Sequence, residues 1–230
     1  MHPAPAPPLD HARFRELWRR CADRAADSVD NDAATTDVDS LFAELTGYYR
    51  EPHRHYHTEA HIHECLSRMD LASPALGRSD GVELAVWFHD AIYQPGAADN
   101  EARSAQWFAR KARGALNLEL IGEVEGYILA TTHCDAPTEA GARFVVDVDL
   151  SGMGMDATAF QRDGDNIRKE AAALDDAEFC RRQGGFLRKL LARERIYTTD
   201  FFHDLCEARA RENIHAALTR YKEVIRAAEA

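Results

Sequence analysis

The segment Val82–Tyr93 restricts the fold more than any other stretch of the chain. Beyond Glu83 it reads Leu84-Ala85-Val86-Trp87-Phe88-His89-Asp90-Ala91-Ile92-Tyr93, apolar on every side of a helix. A helix without a polar face belongs in the middle of a protein. Ser79 or Asp80 is placed to cap it and Pro95-Gly96 to end it, so a helix is expected over Gly81–Tyr93. The difficulty lies in His89 and Asp90, polar residues inside that apolar run. A buried carboxylate without a partner costs several kcal/mol. Two resolutions are open: a single His–Asp hydrogen bond, or a divalent cation that takes one nitrogen and one oxygen ligand from the pair.

The rest of the chain reads as helix nearly throughout. Apolar spacings of three and four predict helices over Asp10–Ala26 and Asp37–Tyr49. A third is expected to start at a Thr58 cap and carry Ile62, Cys65, Leu66 and Met69, with a loop over Pro74–Asp80. Further helices are expected over Ala98–Leu116, Leu118–Thr132, Thr158–Leu174, Ala177–Arg193 and Cys206–Ala228. Arg143–Met155 is ambiguous, because Phe144-Val145-Val146-Asp147-Val148-Asp149-Leu150 alternates as a strand does. These patterns predict one all-α domain over residues 10–230 behind a disordered tail over 1–9.

Charge narrows the partners. Lys and Arg number 28 against 39 Asp and Glu, a net charge of −11, which argues against a nucleic-acid backbone or an anionic membrane. A small phosphorylated ligand needs only a few local cations. No run approaches the roughly 18 apolar residues of a membrane helix, and MHPAPAPPLD lacks the regions of a signal peptide. Five cysteines at 21, 65, 134, 180 and 206 form no CxxC pair and read as free thiols, so a cytoplasmic setting is expected.

Two more segments hold polar groups in unusual places. Five of the 11 histidines fall between positions 53 and 63. His57 and His61 are four apart, which on a helix puts them on one face, with Cys65 a turn further on. The segment is not an HExxH site, since position 58 is Thr, and it also fits a solvated, His-rich helix start. In the 144–150 run, Asp147 and Asp149 would share a face on a strand but point about 200° apart on a helix, leaving one of them for a site or both for the surface. One ion shared by His61, His89, Asp90 and Asp149 accounts for all three oddities together.

The ordered motifs resemble the HD-domain superfamily of metal-dependent phosphohydrolases, in a branch of unassigned substrate. They are RHYHTEAHIHECL (54–66), AVWFHDAIY (85–93), NEARSA (100–105), TTH (131–133), VDVDL (146–150), IRKE (167–170), IYTT (196–199) and ARENI (210–214). The likeness spans residues from about 38 to 218 and departs from the branch at Ala171, where an aromatic is expected. It implies an all-α bundle with a metal between its central helices, held by His61, His89, Asp90 and Asp149. The ion would be Mg2+, Mn2+ or a transition metal such as Fe, Co, Ni or Zn. It would activate a water for in-line attack on a small phosphate ester or anhydride, a nucleotide among the candidates.

Asp90, His133 and Glu101 are the catalytic candidates. His133 would protonate the leaving group or ligate a second metal, and Glu101 would orient the water or fix a ligand His. Arg54, His57 and Arg168 are candidates for binding the phosphate. Each Arg also fits a surface ion pair, and Glu101 a favourable charge at a helix N-terminus. A di-iron oxygenase and a non-catalytic metal- or ligand-binding protein are the competing functions. No nucleic-acid or membrane partner is expected, and nothing in the sequence decides for or against a homodimer.

Overall fold

The computed structural model describes residues 8–25 and 37–230. Most of the tail expected over 1–9 lies outside them; Leu9, at its end, is buried. The described residues form ten α-helices and no strand. In order they are α1 (His11–Ala25), α2 (Val38–Tyr49), α3 (Glu59–Leu76), α4 (Asp80–Phe88), α5 (Asn100–Ala112), α6 (Leu118–Ala130), α7 (Ala140–Leu150), α8 (Ala157–Glu170), α9 (Asp176–Leu191) and α10 (Asp200–Ala228), with a 3-10 turn over Ser151–Gly154. The fold is all-α. The chain divides into two compact units, residues 1–146 and 147–230, with the boundary inside α7.

In the first unit α4 is the central element. Every residue from Gly81 to Phe88 is buried, and the helix packs against α1, α3, α5 and α6. Phe14 meets Trp87 edge to face at 5.2 Å, and Phe88 meets Phe108 in the same way at 5.0 Å. Such aromatic pairs add to the area they bury. The one acid in the run, Glu83, is neutralised by Arg13, whose Nε donates to its Oε1 at 2.5 Å while the other guanidinium nitrogens hold Asp70. Caps fix the starts: Asp37 accepts from Asp39 N and Ser40 N, Thr58 from Ala60 N, and Ser79 from Val82 N.

In the second unit two buried acids set the register. Asp147 accepts from Thr198 N at 2.9 Å, Thr199 N at 2.7 Å and Thr199 Oγ1 at 2.6 Å. Glu207 on α10 accepts from the amides of Ile196 and Tyr197 and from Arg211 Nε. Together they hold the connection from α9 to α10, and Thr199, so fixed, caps α10. The 3-10 turn lies against α10: Asn213 Nδ2 donates to the carbonyls of Met153 and Met155. At Gly154 an added Cβ would stand 2.5 Å from that of Cys206, so only glycine fits there.

Three expectations are corrected and one ambiguity is resolved. α4 stops at Phe88, not Tyr93, because the carbonyls and amides beyond it are captured by side chains described below. α3 runs through Pro74 to Leu76: proline forfeits one bond close to the helix end but already has helical φ, and Gly77 at φ 83° makes the stop. The strand-like 144–150 run is helical, and its alternating apolar residues are buried around the helix. α10 starts six residues earlier than expected, at Asp200, under the Thr199 cap.

Candidate metal centre

Three side chains converge where α3 begins and α4 ends. The Thr58 cap opens α3 two residues before Ala60 and so puts His61 in the first turn. At the far end of α4, the His89 amide closes the ladder on Ala85 O at 2.9 Å, and Asp90 follows in a turn. His61 Nε2 then lies 3.3 Å from His89 Nε2 and 3.5 Å from Asp90 Oδ2, and His89 Nε2 lies 3.1 Å from Asp90 Oδ2. His61 and His89 are buried and Asp90 nearly so.

Protonation makes this a donor set. His89 Nδ1 faces the carbonyl of Val86 at 3.0 Å. A carbonyl only accepts, so Nδ1 carries the hydrogen, and in the neutral ring Nε2 presents its lone pair to the trio. Burial pushes the Asp90 carboxyl up, but the facing imidazoles in their protonated form, His89 first and then His57 and His61, hold it below the usual carboxylate range; a cation that displaced those protons would take over the same role. A carboxylate and two imidazole nitrogens are thus packed together. One proton can bridge one pair of them; a cation satisfies three at once. Ligand atoms roughly 2.1 Å from a shared ion lie about 3.0 Å apart at right angles and about 3.4 Å apart at the tetrahedral angle. The separations of 3.1 and 3.3 Å fall in that range, and that of 3.5 Å lies just above it. Nitrogen and oxygen donors in this ratio suit a transition-metal ion better than Mg2+, which prefers oxygen.

The turn that carries Asp90 is held from outside. Ser104 Oγ on α5 accepts from Ile92 N at 3.0 Å and donates to Ile92 O at 3.2 Å. Asn100 brackets Gln94, accepting from its amide and donating to its carbonyl. The NEARSA motif therefore works first as a clasp on the segment after α4. Arg54 supplies the rest. Its Nη1 donates to Asp90 O at 2.7 Å and to His57 O at 3.1 Å, and its Nη2 to Ala91 O at 2.9 Å. The guanidinium lies over the rings of Tyr49 and Tyr93, 5.3 and 5.4 Å from their centroids.

These contacts revise several roles. Arg54 is not poised to grip a phosphate: its side chain is fully buried and its fork is committed to main-chain carbonyls. Arg168 likewise spans the α8–α9 turn, bonding Asp176 Oδ1, Ala171 O and Leu174 O. Ala171 thus serves through its carbonyl. His57 and His61 do not share a helix, because His57 precedes the Thr58 cap. His57 instead stacks on Tyr93 at 4.1 Å, with its ring centroid 6.2 Å from that of His61.

The other candidates occupy varied positions. Glu101 lies in the first turn of α5. His133 stands in left-handed backbone, φ 55°, two residues past the C-cap of α6. Asp149 is half-buried on α7, in the second unit. Asp147, for which a surface position was as good an expectation, is fully buried and bound to Thr198 and Thr199. Ser104 and Tyr93 were not singled out from sequence; a serine four residues into a helix and an aromatic after an apolar run give no local signal. Cys65 lies a turn beyond His61, with Sγ 3.7 Å from His61 Nε2.

No protein-family model matches the chain, and no curated protein or solved structure is significantly similar to it.

Proposed function

We propose that the chain is a metal-dependent hydrolase of a small phosphate ester or anhydride. The observation that carries this reading is the convergence of His61, His89 and Asp90 within mutual coordination distance. A divalent cation bound there would supply Lewis acidity, neutralising phosphate charge and acidifying a water. The protein's own part is to hold two imidazole nitrogens and one carboxylate in fixed array. The Val86 carbonyl sets the tautomer of His89, and the clasp from Ser104 and Arg54 holds Asp90. Three protein donors leave coordination positions for a substrate oxygen and a water, which is the open arrangement of catalytic rather than structural sites. His57, on its Tyr93 platform with its ring 6.2 Å from that of His61, is a candidate to meet a substrate oxygen.

The experiment is elemental analysis of the purified protein, then a panel of phosphoesters and nucleotides with Mg2+, Mn2+, Co2+ and Ni2+. Metal-dependent turnover that is lost in His89→Ala and Asp90→Ala is the expected result. Bound metal with no turnover across the panel would leave a binding protein. Full activity in both variants would remove the site.

A further inference from the structure

We propose that Arg54 is a positioning residue that sets the distance between His61 and the His89–Asp90 pair; this rests on the metal reading above. His61 belongs to α3 and the pair to the end of α4, so the trio depends on how those two ends are joined. One nitrogen bonds to both. Nη1 of Arg54 bonds the carbonyl of His57, four residues before His61, and the carbonyl of Asp90, itself a ligand. Nη2 adds Ala91 O, and Nε is steadied by Glu51 Oε2 at 3.1 Å. The side chain has no exposure to solvent, and Tyr49 and Tyr93 confine its plane. A planar fork spanning three carbonyls fixes both chain segments at once. A lysine ammonium, a point donor on a flexible stem, cannot hold the same span.

An arginine that only stabilised the fold would change the melting temperature when replaced. One that positions ligands must also change how the ion is held. The probe is Co2+, titrated into the metal-free full-length protein and followed by its visible d–d absorption, with far-UV circular dichroism as the control for folding. Arg54→Lys is expected to keep its helix content, bind Co2+ about tenfold or more weakly and give a shifted band, since outer partners of ligands are worth roughly 10- to 100-fold in affinity.

If Arg54→Lys lowers only the melting temperature, with native affinity and band, the positioning role is overturned while the metal reading stands. If the native protein takes up no Co2+, both fall together. Should Arg54→Lys fail to fold, Glu51→Gln decides. It keeps all three carbonyl bonds but weakens the hold on Nε, and is expected to weaken Co2+ about threefold with a smaller band shift. An unchanged affinity and band in that variant overturns the proposal.

Discussion

Asp90 and Asp147 are both carboxylates embedded in apolar surroundings, yet the chain treats them in opposite ways. Asp147 is met by two main-chain amides and two hydroxyls, groups that can only or readily donate. Glu207, in the same unit, is met by two amides and a guanidinium. Each is an acceptor answered by donors, and the result is a fixed connection between helices. Asp90 faces two imidazole nitrogens, and the Val86 bond leaves the one on His89 able to present a lone pair when that ring is neutral. The difference teaches how to sort buried acids: a carboxylate ringed by amide donors is architecture, whereas one packed against other ligand atoms is a candidate for a cation.

The largest effect should come from attacking the second kind. Asp90→Ala is expected to lower metal affinity roughly a hundredfold or more and to abolish metal-dependent turnover, with the melting temperature of the metal-free protein changed little. Equilibrium dialysis and a melt of the chelated protein check this. Asp147→Ala should do the reverse to stability, costing about 3 kcal/mol by leaving buried amides without an acceptor. Urea denaturation measures it, and a cost under about 1 kcal/mol would break the distinction.

Glu207→Gln should cost about 1–2 kcal/mol, from charge-assisted bonds made weaker. It should also alter the acid limb. Burial pushes the Glu207 carboxyl up, but the Tyr197 and Ile196 amides and Arg211 bring it below its ordinary value. Folded Glu207 therefore holds its proton less tightly than unfolded Glu207. Its contribution is full above the unfolded value of about 4.3 and fades as pH falls through the lower folded value. Melting temperatures taken between about pH 6 and 3 should decline less steeply in the Gln variant than in the native chain. The smallest effect is Thr199→Val, about 1 kcal/mol, from loss of a hydroxyl that serves Asp147 and caps α10.

Much of the helical pattern was legible in the sequence. Thr58 and Ser79 are capping residues by type and position, and each accepts the amide that a cap should. The burial of α4 followed from its lack of a polar face. The end of α4 did not, because it is made by residues far away: Arg54 and Ser104 take the main-chain groups of Asp90, Ala91 and Ile92. A local period cannot register a guanidinium 36 residues upstream. The same blindness misread Arg54 as a phosphate ligand, since an arginine in a His-rich segment looks alike whether it faces solvent or a carbonyl. Whereas His61 stands out only by its place in a His-rich segment taken together with the other motifs, His89 and Asp90 could be singled out from sequence because polarity inside an apolar pattern is itself a signal. Asp147 gave that signal too, and only the partners of its oxygens separate it from Asp90.

The hydrogen bond between His89 and Val86 has a consequence for how the protein can change over generations. The acceptor is the next carbonyl along after the α4 ladder closes on Ala85, so it is contributed by main chain and not by the valine side chain. No replacement at position 86 deletes it. The hydrogen of the imidazole is thus anchored by an atom that genetic drift cannot reach, and the core around it is at liberty to be repacked.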